Sequence, residues 1–270
     1  MPMLYEKRGY TVVLTFSRPR ARNCWGEDFV DGFATHLASA ADDDEVRCVI
    51  LTGDEAGGAF SAGANLEDPT THNTKSAEAF IKRIGNPHRF PSNMLSEFPK
   101  PVIGAINGFA IGVGCIITFC CDMIVASERA EWRLPQVALG ILPNYGGAAR
   151  VARIIGKGLA MRLAMGFPLD AQEAYRIGFV QWLVPDRDAM MAEAEKRAEI
   201  LKKCAPLAVQ ALKNGVHLHM NPPTPPTGVT LLEHLREVNR LLQDKVANSE
   251  DRMEGPKAFA EKREPNWKGR

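Results

Sequence analysis

Short β-branched runs alternate with a helical pattern in the first half of the chain, and this alternation limits the possible folds more than any other feature. The runs lie at 10–16, 47–52, 101–107 and 123–126. Between the first two, residues 28–41 carry apolar side chains three and four positions apart, the spacing of one helix face. Strands that alternate with helices pair mainly in parallel. The sequence therefore predicts a largely parallel α/β fold.

Helical patterns dominate from residue 147 onward. Predicted helices cover 148–155, 159–165, 171–177 and 189–204, and one apolar strand is predicted at 179–184. Four prolines between positions 222 and 226 mark a linker. The stretch 231–246 beyond it has an apolar stripe at helical spacing, which packs either in the core or on another subunit.

Charge and composition exclude several classes of protein. The chain has 33 Lys and Arg against 32 Asp and Glu, a net charge of +1, whereas nucleic-acid binding needs a clustered positive excess. The apolar stretch 103–125 is interrupted by glycines, Asn107 and Asp122, which is not the pattern of a membrane helix. The N-terminus has no signal-peptide pattern, and the six cysteines include no C-x-x-C pair. We therefore expect a cytoplasmic protein with reduced thiols, no nucleic-acid or membrane partner, and, since the histidines lack ligand spacing, no metal.

Two glycine-bearing segments are the strongest candidates for a functional site. They span 57–66 and 107–115, and each follows a predicted strand. Small residues at these positions let backbone N–H groups approach a ligand. Two such N–H groups that donate to one oxygen form an oxyanion hole. A helix starting near Gly112 adds the positive end of its dipole. The alternative is that these glycines only form tight turns and close helix contacts. No G-x-S-x-G, Walker A or complete G-x-G-x-x-G sequence supports a serine hydrolase or a dinucleotide-binding protein.

Together with other motifs in the same order, these segments resemble the crotonase superfamily, also called the enoyl-CoA hydratase/isomerase family. The motifs are at 17–19, 22–23, 49–53, 60–66, 101–108, 121–122, 139–143 and 255–263. The resemblance implies a spiral of β-β-α units over residues 1–200 that binds acyl-CoA, and a helical trimerisation region over 201–270. It also implies a homotrimer or homohexamer, an acyl-CoA or enoyl-CoA substrate, and no cofactor beyond the CoA moiety of that substrate.

The resemblance assigns the oxyanion hole to the backbone N–H groups of Ala64 and Val113, which would hold the thioester oxygen and stabilise an enolate. Val113 replaces a glycine that is common in hydratases, but any residue except proline supplies a main-chain N–H. Asn65 stands where the family usually has an aspartate, so the loop loses one negative charge.

The acid–base positions of the family are uncharged in this chain. Hydratases place two glutamates across the substrate, and the corresponding positions hold Ile116 and Gln136. Neither an aliphatic side chain nor an unactivated amide serves as a general base near neutral pH. A third carboxylate position, used by some isomerases, holds Asn144, and the adjacent Tyr145 is the nearest candidate that carries a proton. Further polar candidates lie on the loop that borders the acyl pocket in the family: Glu67, Asp68 and His72.

The resemblance also implies a set of CoA contacts. They involve Arg22, Asn23 and Cys24, then Ala62 and Gly63, and finally Phe259 and Lys262. The main chain of the first three cradles the nucleotide end of CoA, and Ala62 lies near the adenine. In the family the tail positions often reach CoA from a neighbouring subunit.

Three functions remain open from the sequence. The first is an acyl-CoA enzyme that does not rely on the glutamates, such as a decarboxylase, thioesterase or isomerase. The second is a conventional enoyl-CoA hydratase, and the third is an acyl-CoA binding protein without catalytic activity.

Overall fold

The computed structural model describes residues 3–66, 90–143, 146–220, 222 and 224–270, and its strands form two sheets. The strands are β1 (Met3–Arg8), β2 (Thr11–Phe16), β3 (Cys48–Gly53), β4 (Ala59–Ser61), β5 (Val102–Ile106), β6 (Phe109–Ile111), β7 (Met123–Ser127), β8 (Glu131–Arg133), β9 (Leu169–Asp170) and β10 (Trp182–Val184). The six-stranded sheet has the order β1-β2-β3-β5-β7-β10, and every pair except β1–β2 is parallel. The predicted parallel α/β fold is confirmed.

The helices cover the sheets and form most of the C-terminal part. They are α1 (Glu27–Asp42), α2 (Pro91–Glu97), α3 (Val113–Thr118), α4 (Gly147–Ala164), α5 (Ala171–Arg176), α6 (Arg187–Lys202), α7 (Pro206–Met220), α8 (Leu231–Ala247) and α9 (Asp251–Glu261). The helices predicted at 148–155 and 159–165 are the two arms of α4. Gly156 breaks the helical geometry between them with φ 79° and ψ 162°, a conformation that glycine adopts readily because it has no Cβ.

Successive strands repeat one arrangement. Each of β3, β5 and β7 is followed in the chain by a short strand, β4, β6 or β8, that joins the four-stranded sheet of order β4-β6-β8-β9. The chain thus advances by one strand in both sheets at each repeat, as the pairings Ile103↔Met123 and Phe109↔Glu131 show. This is the predicted crotonase-like spiral of β-β-α units.

The six-stranded sheet is covered on both faces, which explains why β3 and β5 are buried along their whole length. On one face, α1 contributes Phe29 and Phe33 to an aromatic cluster around Phe16. On the other face, α6 packs Met190 and Ala194 against the sheet. The uninterrupted apolar runs of the sequence therefore correspond to strands with no solvent-facing side.

A buried ion pair joins α7 to the core, and a cavity lies beside it. The Lys213 Nζ lies 2.8 Å from Asp122 Oδ2 and 2.8 Å from the Lys100 carbonyl oxygen, and His217 Nε2 lies 3.2 Å from Asp122 Oδ1. A cavity of about 480 Å³ lies beside these groups, with mainly apolar walls.

The apolar stripe of α8 does not pack into the core of the chain. Leu231, Leu232 and Leu241 are exposed. Contact of this stripe with another subunit, the other option left by the sequence, stays a prediction. The division of the chain at residue 200 also stays a prediction, and α6 runs across that position to Lys202.

Candidate functional site

The two glycine segments meet at Gly63 and Gly112. A Cβ atom at Gly63 would lie 2.8 Å from the Ile111 carbonyl oxygen, and one at Gly112 would lie 3.8 Å from the Gly63 Cα. Both residues have positive φ, +92° and +57°, which other L-residues rarely adopt. The glycines therefore let two backbone segments approach each other closely, at the ends of the paired strands β4 and β6.

The N–H group of Ala64 faces away from the neighbouring segment 22–25. Residues 62–65 run parallel to 22–25, with Trp25 N–H donating to Gly63 O at 2.7 Å and Asn65 N–H donating to Trp25 O at 2.8 Å. In a trans peptide the C=O group and the N–H group of the next residue point in opposite directions. Because the Gly63 carbonyl faces Trp25, the Ala64 N–H faces away from Trp25.

Val113 supplies the second predicted donor. It is the first residue of α3, directly after the cap Gly112, and the first N–H groups of a helix have no acceptor within that helix. Gly112 N–H donates to the Arg133 carbonyl oxygen at 2.9 Å, which extends the β6–β8 pairing and fixes the start of α3. The structure thus brings the two segments that carry Ala64 and Val113 side by side.

Gln136 lies at the same place. It follows β8 in the short 3₁₀ helix Pro135–Leu139, and its Nε2 lies 3.5 Å from the position that a Cβ would take at Gly112. The residue is 9% exposed, and its buried Oε1 has no hydrogen-bond partner among the described residues. An unpaired buried amide oxygen costs about 1–3 kcal/mol of stability, so this amide is an unusual group to find in a core.

Ile116 lies one turn into α3 and contributes only apolar surface. It is fully buried, and a Cβ at Gly147 would lie 2.8 Å from its Cδ1. Neither Ile116 nor Gln136 can transfer a proton under ordinary conditions. The remaining predicted polar candidates lie outside the described residues: Asn144, Tyr145, Glu67, Asp68 and His72.

Comparison with known proteins identifies the family. The family model described as enoyl-CoA hydratase/isomerase matches residues 6–270. The chain belongs to this family. The 2,3-dehydroadipyl-CoA hydratase of Escherichia coli is 33% identical over 271 residues, covering 99% of each protein. The short-chain-enoyl-CoA hydratase of Clostridium acetobutylicum is 36% identical over 220 residues, 81% of this chain and 82% of the relative. The crystal structure of an enoyl-CoA hydratase from Bacillus anthracis matches with a TM-score of 0.87 and 29% identity over the full length of both chains.

The candidate site also includes a close contact between α3 and β4. A Cβ at Gly114 would lie 2.7 Å from both the Cβ and the carbonyl oxygen of Ser61, so α3 packs directly on β4. The Ser61 hydroxyl accepts a hydrogen bond from the Gly63 N–H at 3.3 Å. The second glycine of Gly112-Val113-Gly114 was the available signal, because a glycine inside a helix often marks close packing.

The predicted CoA contacts at Arg22 and Ala62 are neighbours, since Ala62 N–H donates to the Arg22 carbonyl oxygen at 3.0 Å. Asn23 is buried, and its Nδ2 donates to the carbonyl oxygens of Asp54 at 2.9 Å and Ala59 at 2.8 Å. The Asn23 side chain therefore braces this loop against the β3–β4 connection. Cys24 is buried as well, so a CoA contact from this segment remains a prediction for its main chain.

The tail residues Phe259 and Lys262 lie on and just after α9. Phe259 is 87% exposed, and Lys262 ends the helix with φ 53°. No hydrogen bond or ion pair among the described residues joins either of them to Ala62 or Arg22. Their approach to CoA from a neighbouring subunit stays a prediction.

The thiols near the site are not suited to act as nucleophiles. Burial raises the pKa of the Cys115 thiol, next to Ile116 on α3, far above its ordinary value, and it raises the pKa of Cys120 to about 11. A thiol must ionise to attack. Both groups therefore behave as small apolar side chains.

Among the described residues there is also no cluster of His, Cys, Asp and Glu suited to a metal, and no helix long and apolar enough to cross a membrane.

Proposed function

We propose that the chain is an acyl-CoA enzyme that stabilises a thioester enolate with the N–H groups of Ala64 and Val113. The observation that carries this proposal is the contact between Gly63 and Gly112, which places the two donor-bearing segments together. A thioester oxygen between the two N–H groups would gain negative charge as an enolate forms. Preorganised donors stabilise that charge more than they stabilise the neutral ground state.

The proposed reaction does not depend on the glutamate pair of hydratases. Adding water to a double bond needs one group that deprotonates the water and a source of the proton delivered to carbon. Ile116 and Gln136, at the positions that the resemblance assigns to those glutamates, supply neither. Decarboxylation and isomerisation can pass through this enolate. Thioester hydrolysis, the third class left open by the sequence, instead forms a tetrahedral oxyanion, which the same two N–H groups could hold.

A conventional enoyl-CoA hydratase is the second candidate. The names of the relatives favour it, because the proteins from Escherichia coli and Clostridium acetobutylicum are called hydratases. In this case a group other than Ile116 and Gln136 must activate the water. Turnover of crotonyl-CoA by the purified protein, measured beside a direct binding titration, tests the hydratase. Fast hydration favours it, whereas binding without hydration leaves open the first proposal and the acyl-CoA binding protein without activity. Turnover of malonyl-type, branched or aromatic acyl-CoAs then favours the first proposal over the binding protein.

The Val113→Pro variant tests the oxyanion hole itself. Proline removes the N–H donor, and it is tolerated at the first position of a helix, where no intrahelical hydrogen bond is lost. The matched control Val113→Ala keeps the N–H and shortens the side chain. With ¹³C-labelled crotonyl-CoA bound, the thioester C=O stretching frequency measured by infrared difference spectroscopy should fall relative to free ligand in the wild type and in Val113→Ala.

In Val113→Pro that downshift should shrink, and the kcat/KM of any thioester reaction should fall by about 10²–10³. An unchanged C=O frequency in Val113→Pro, or no binding of crotonyl-CoA to the wild type, would rule the proposal out.

Assembly and location complete the proposal. The exposed leucines of α8 support a homotrimer or homohexamer, since a stripe of this kind is buried when subunits associate. A cytoplasmic location and the lack of a cofactor beyond the CoA moiety remain part of the proposal. Sedimentation of the purified protein at several concentrations checks the assembly.

A further inference from the structure

The amide of Gln136 lies against the start of α3. Its Nε2 lies 3.5 Å from the Cβ position at Gly112, and Gly112 directly precedes the proposed donor Val113. The amide therefore lies beside the position where the first carbons of a bound acyl group would begin. Its Oε1 is buried and unpaired among the described residues, although the residue is 9% exposed.

Backbone contacts hold this amide in position. Strand β8 pairs with β6 through Ile111↔Arg133, and the Gln136 carbonyl oxygen accepts the Ile141 N–H at 3.1 Å. The backbone is thus fixed on both sides of the residue, while the amide oxygen has no partner of its own. Ile116 adds no polar group that could satisfy it.

We propose that Gln136 determines specificity by binding a hydroxyl group on the acyl chain close to the thioester. This inference rests on the proposed function, because it requires an acyl-CoA thioester at the Ala64 and Val113 donors. A primary amide presents an acceptor and a donor side by side, and a hydroxyl can donate to Oε1 or accept from Nε2. A hydrocarbon chain leaves both amide atoms unpaired, and a carboxylate offers no hydrogen to Oε1.

A neutral amide gives this selectivity a recognisable signature. Its protonation does not change over the ordinary pH range, so the preference should be the same at pH 6 and pH 9. The Gln136 Oε1 is buried and unpaired before any ligand binds, so a hydroxyl that donates to it adds a hydrogen bond that the plain analogue cannot make.

The test compares butyryl-CoA with the 2-hydroxy and 3-hydroxy derivatives of the same chain, each as both enantiomers, by calorimetric titration at pH 6 and pH 9. At least one hydroxy ligand should bind the wild type about 10-fold more tightly than butyryl-CoA. Chromatography of the ligand after each titration detects any conversion.

Gln136→Met removes both polar atoms at nearly constant length, and Gln243→Met makes the same change on the exposed surface of α8. The preference should disappear in Gln136→Met, with the affinity for butyryl-CoA kept within about threefold, and it should persist in Gln243→Met. Melting temperatures of all three proteins establish that they are folded.

Equal binding of hydroxy and plain ligands by the wild type overturns this inference and leaves the proposed function standing. A preference that survives in Gln136→Met, or one that changes between pH 6 and pH 9, assigns the selectivity to another group and also overturns it. If the wild type binds none of the thioesters, the proposed function fails, and this inference fails with it.

Discussion

Replacing Lys213 by methionine removes the cation that fastens helix α7 to the core. The Lys213 Nζ contacts Asp122 Oδ2 and the Lys100 carbonyl oxygen, each at 2.8 Å, and its side chain is only 4% exposed. Methionine is similar in length and apolar. The change therefore isolates the loss of charge and hydrogen bonds from the loss of packing.

The expected loss of stability depends on the partners that Asp122 keeps after the lysine is removed. Removing one partner of a buried ion pair costs about 3–5 kcal/mol, because the other charge stays buried without compensation. Asp122 still accepts the Val102 N–H at 2.7 Å and lies 3.2 Å from His217, so we expect the lower end, about 3 kcal/mol. Combining Lys213→Met with Asp122→Asn should recover about 1–2 kcal/mol, since no uncompensated carboxylate then remains.

The loss of stability in Lys213→Met should depend on pH. Burial by itself raises the pKa of Asp122, but the hydrogen bond with His217 and the positive charge of Lys213 outweigh burial and hold that pKa below its usual value. A group with a lowered folded-state pKa contributes stability above its unfolded pKa of about 3.9, and the contribution is lost as the pH falls through the folded value. The difference between the wild type and Lys213→Met should therefore be largest at neutral pH and shrink below about pH 4.

Urea unfolding followed by tryptophan fluorescence at pH 7 and pH 3.5, at one protein concentration, measures this difference. Lys196→Met is the control, because the Lys196 ammonium pairs with Glu193 at the surface and is 65% exposed. Surface pairs contribute about 0–1 kcal/mol. A loss under about 1 kcal/mol for Lys213→Met at pH 7, or an equal loss at both pH values, would refute the reasoning from the buried pair.

Two further predictions concern packing and the thiols. Gly114→Ala should lower the free energy of unfolding by about 1–3 kcal/mol, because its Cβ would lie 2.7 Å from Ser61. Gly158→Ala, whose Cβ would meet no atom within 4 Å, should raise the free energy of unfolding by about 0.5–1 kcal/mol. Equal effects of the two variants in urea titrations would contradict this account. Burial raises the pKa values of Cys48 and Cys120 to about 11. Both thiols should therefore resist alkylation by iodoacetamide at pH 8 until the protein is unfolded. Alkylation of either cysteine in the native protein, detected by peptide mass spectrometry, would argue against that burial.

The long strands could be predicted because each is a continuous apolar run in the sequence. The runs at 10–16 and 47–52 lie within one residue of β2 and β3, since strands buried on both faces are continuously apolar. The short strands β4 and β6 were not predicted. Each has three residues and forms only by pairing with a segment from another repeat, so no local pattern specifies it.

The predicted strand at 179–184 shows the limit of apolar patterns. Only Trp182–Val184 pairs with β7, as β10. Phe179 and Val180 instead donate their N–H groups to the Ala174 carbonyl oxygen, at the end of α5. Their apolar side chains are buried in the core, and a run of buried residues does not distinguish a strand from a packed loop.

At the site, the glycines could be predicted and the side-chain partners could not. Gly63 and Gly112 carry a recognisable signal, because positive φ and close backbone contact require glycine. Asn23 was assigned to a CoA-binding loop, but whether a buried amide serves the fold or a ligand depends on carbonyl groups more than thirty residues away. The unpaired oxygen of Gln136 likewise depends on its neighbours in space.

The repeating strand pairs separate two tasks. Ala64, Val113 and Gln136 each lie within three residues of the end of the short strand in one of three consecutive repeats. The first two repeats present main-chain groups, which almost any side-chain substitution leaves in place. The third presents a side chain, which a single codon change replaces. In the proposed function, carbonyl activation by Ala64 and Val113 can therefore be inherited unchanged, while selectivity at Gln136 changes with one substitution.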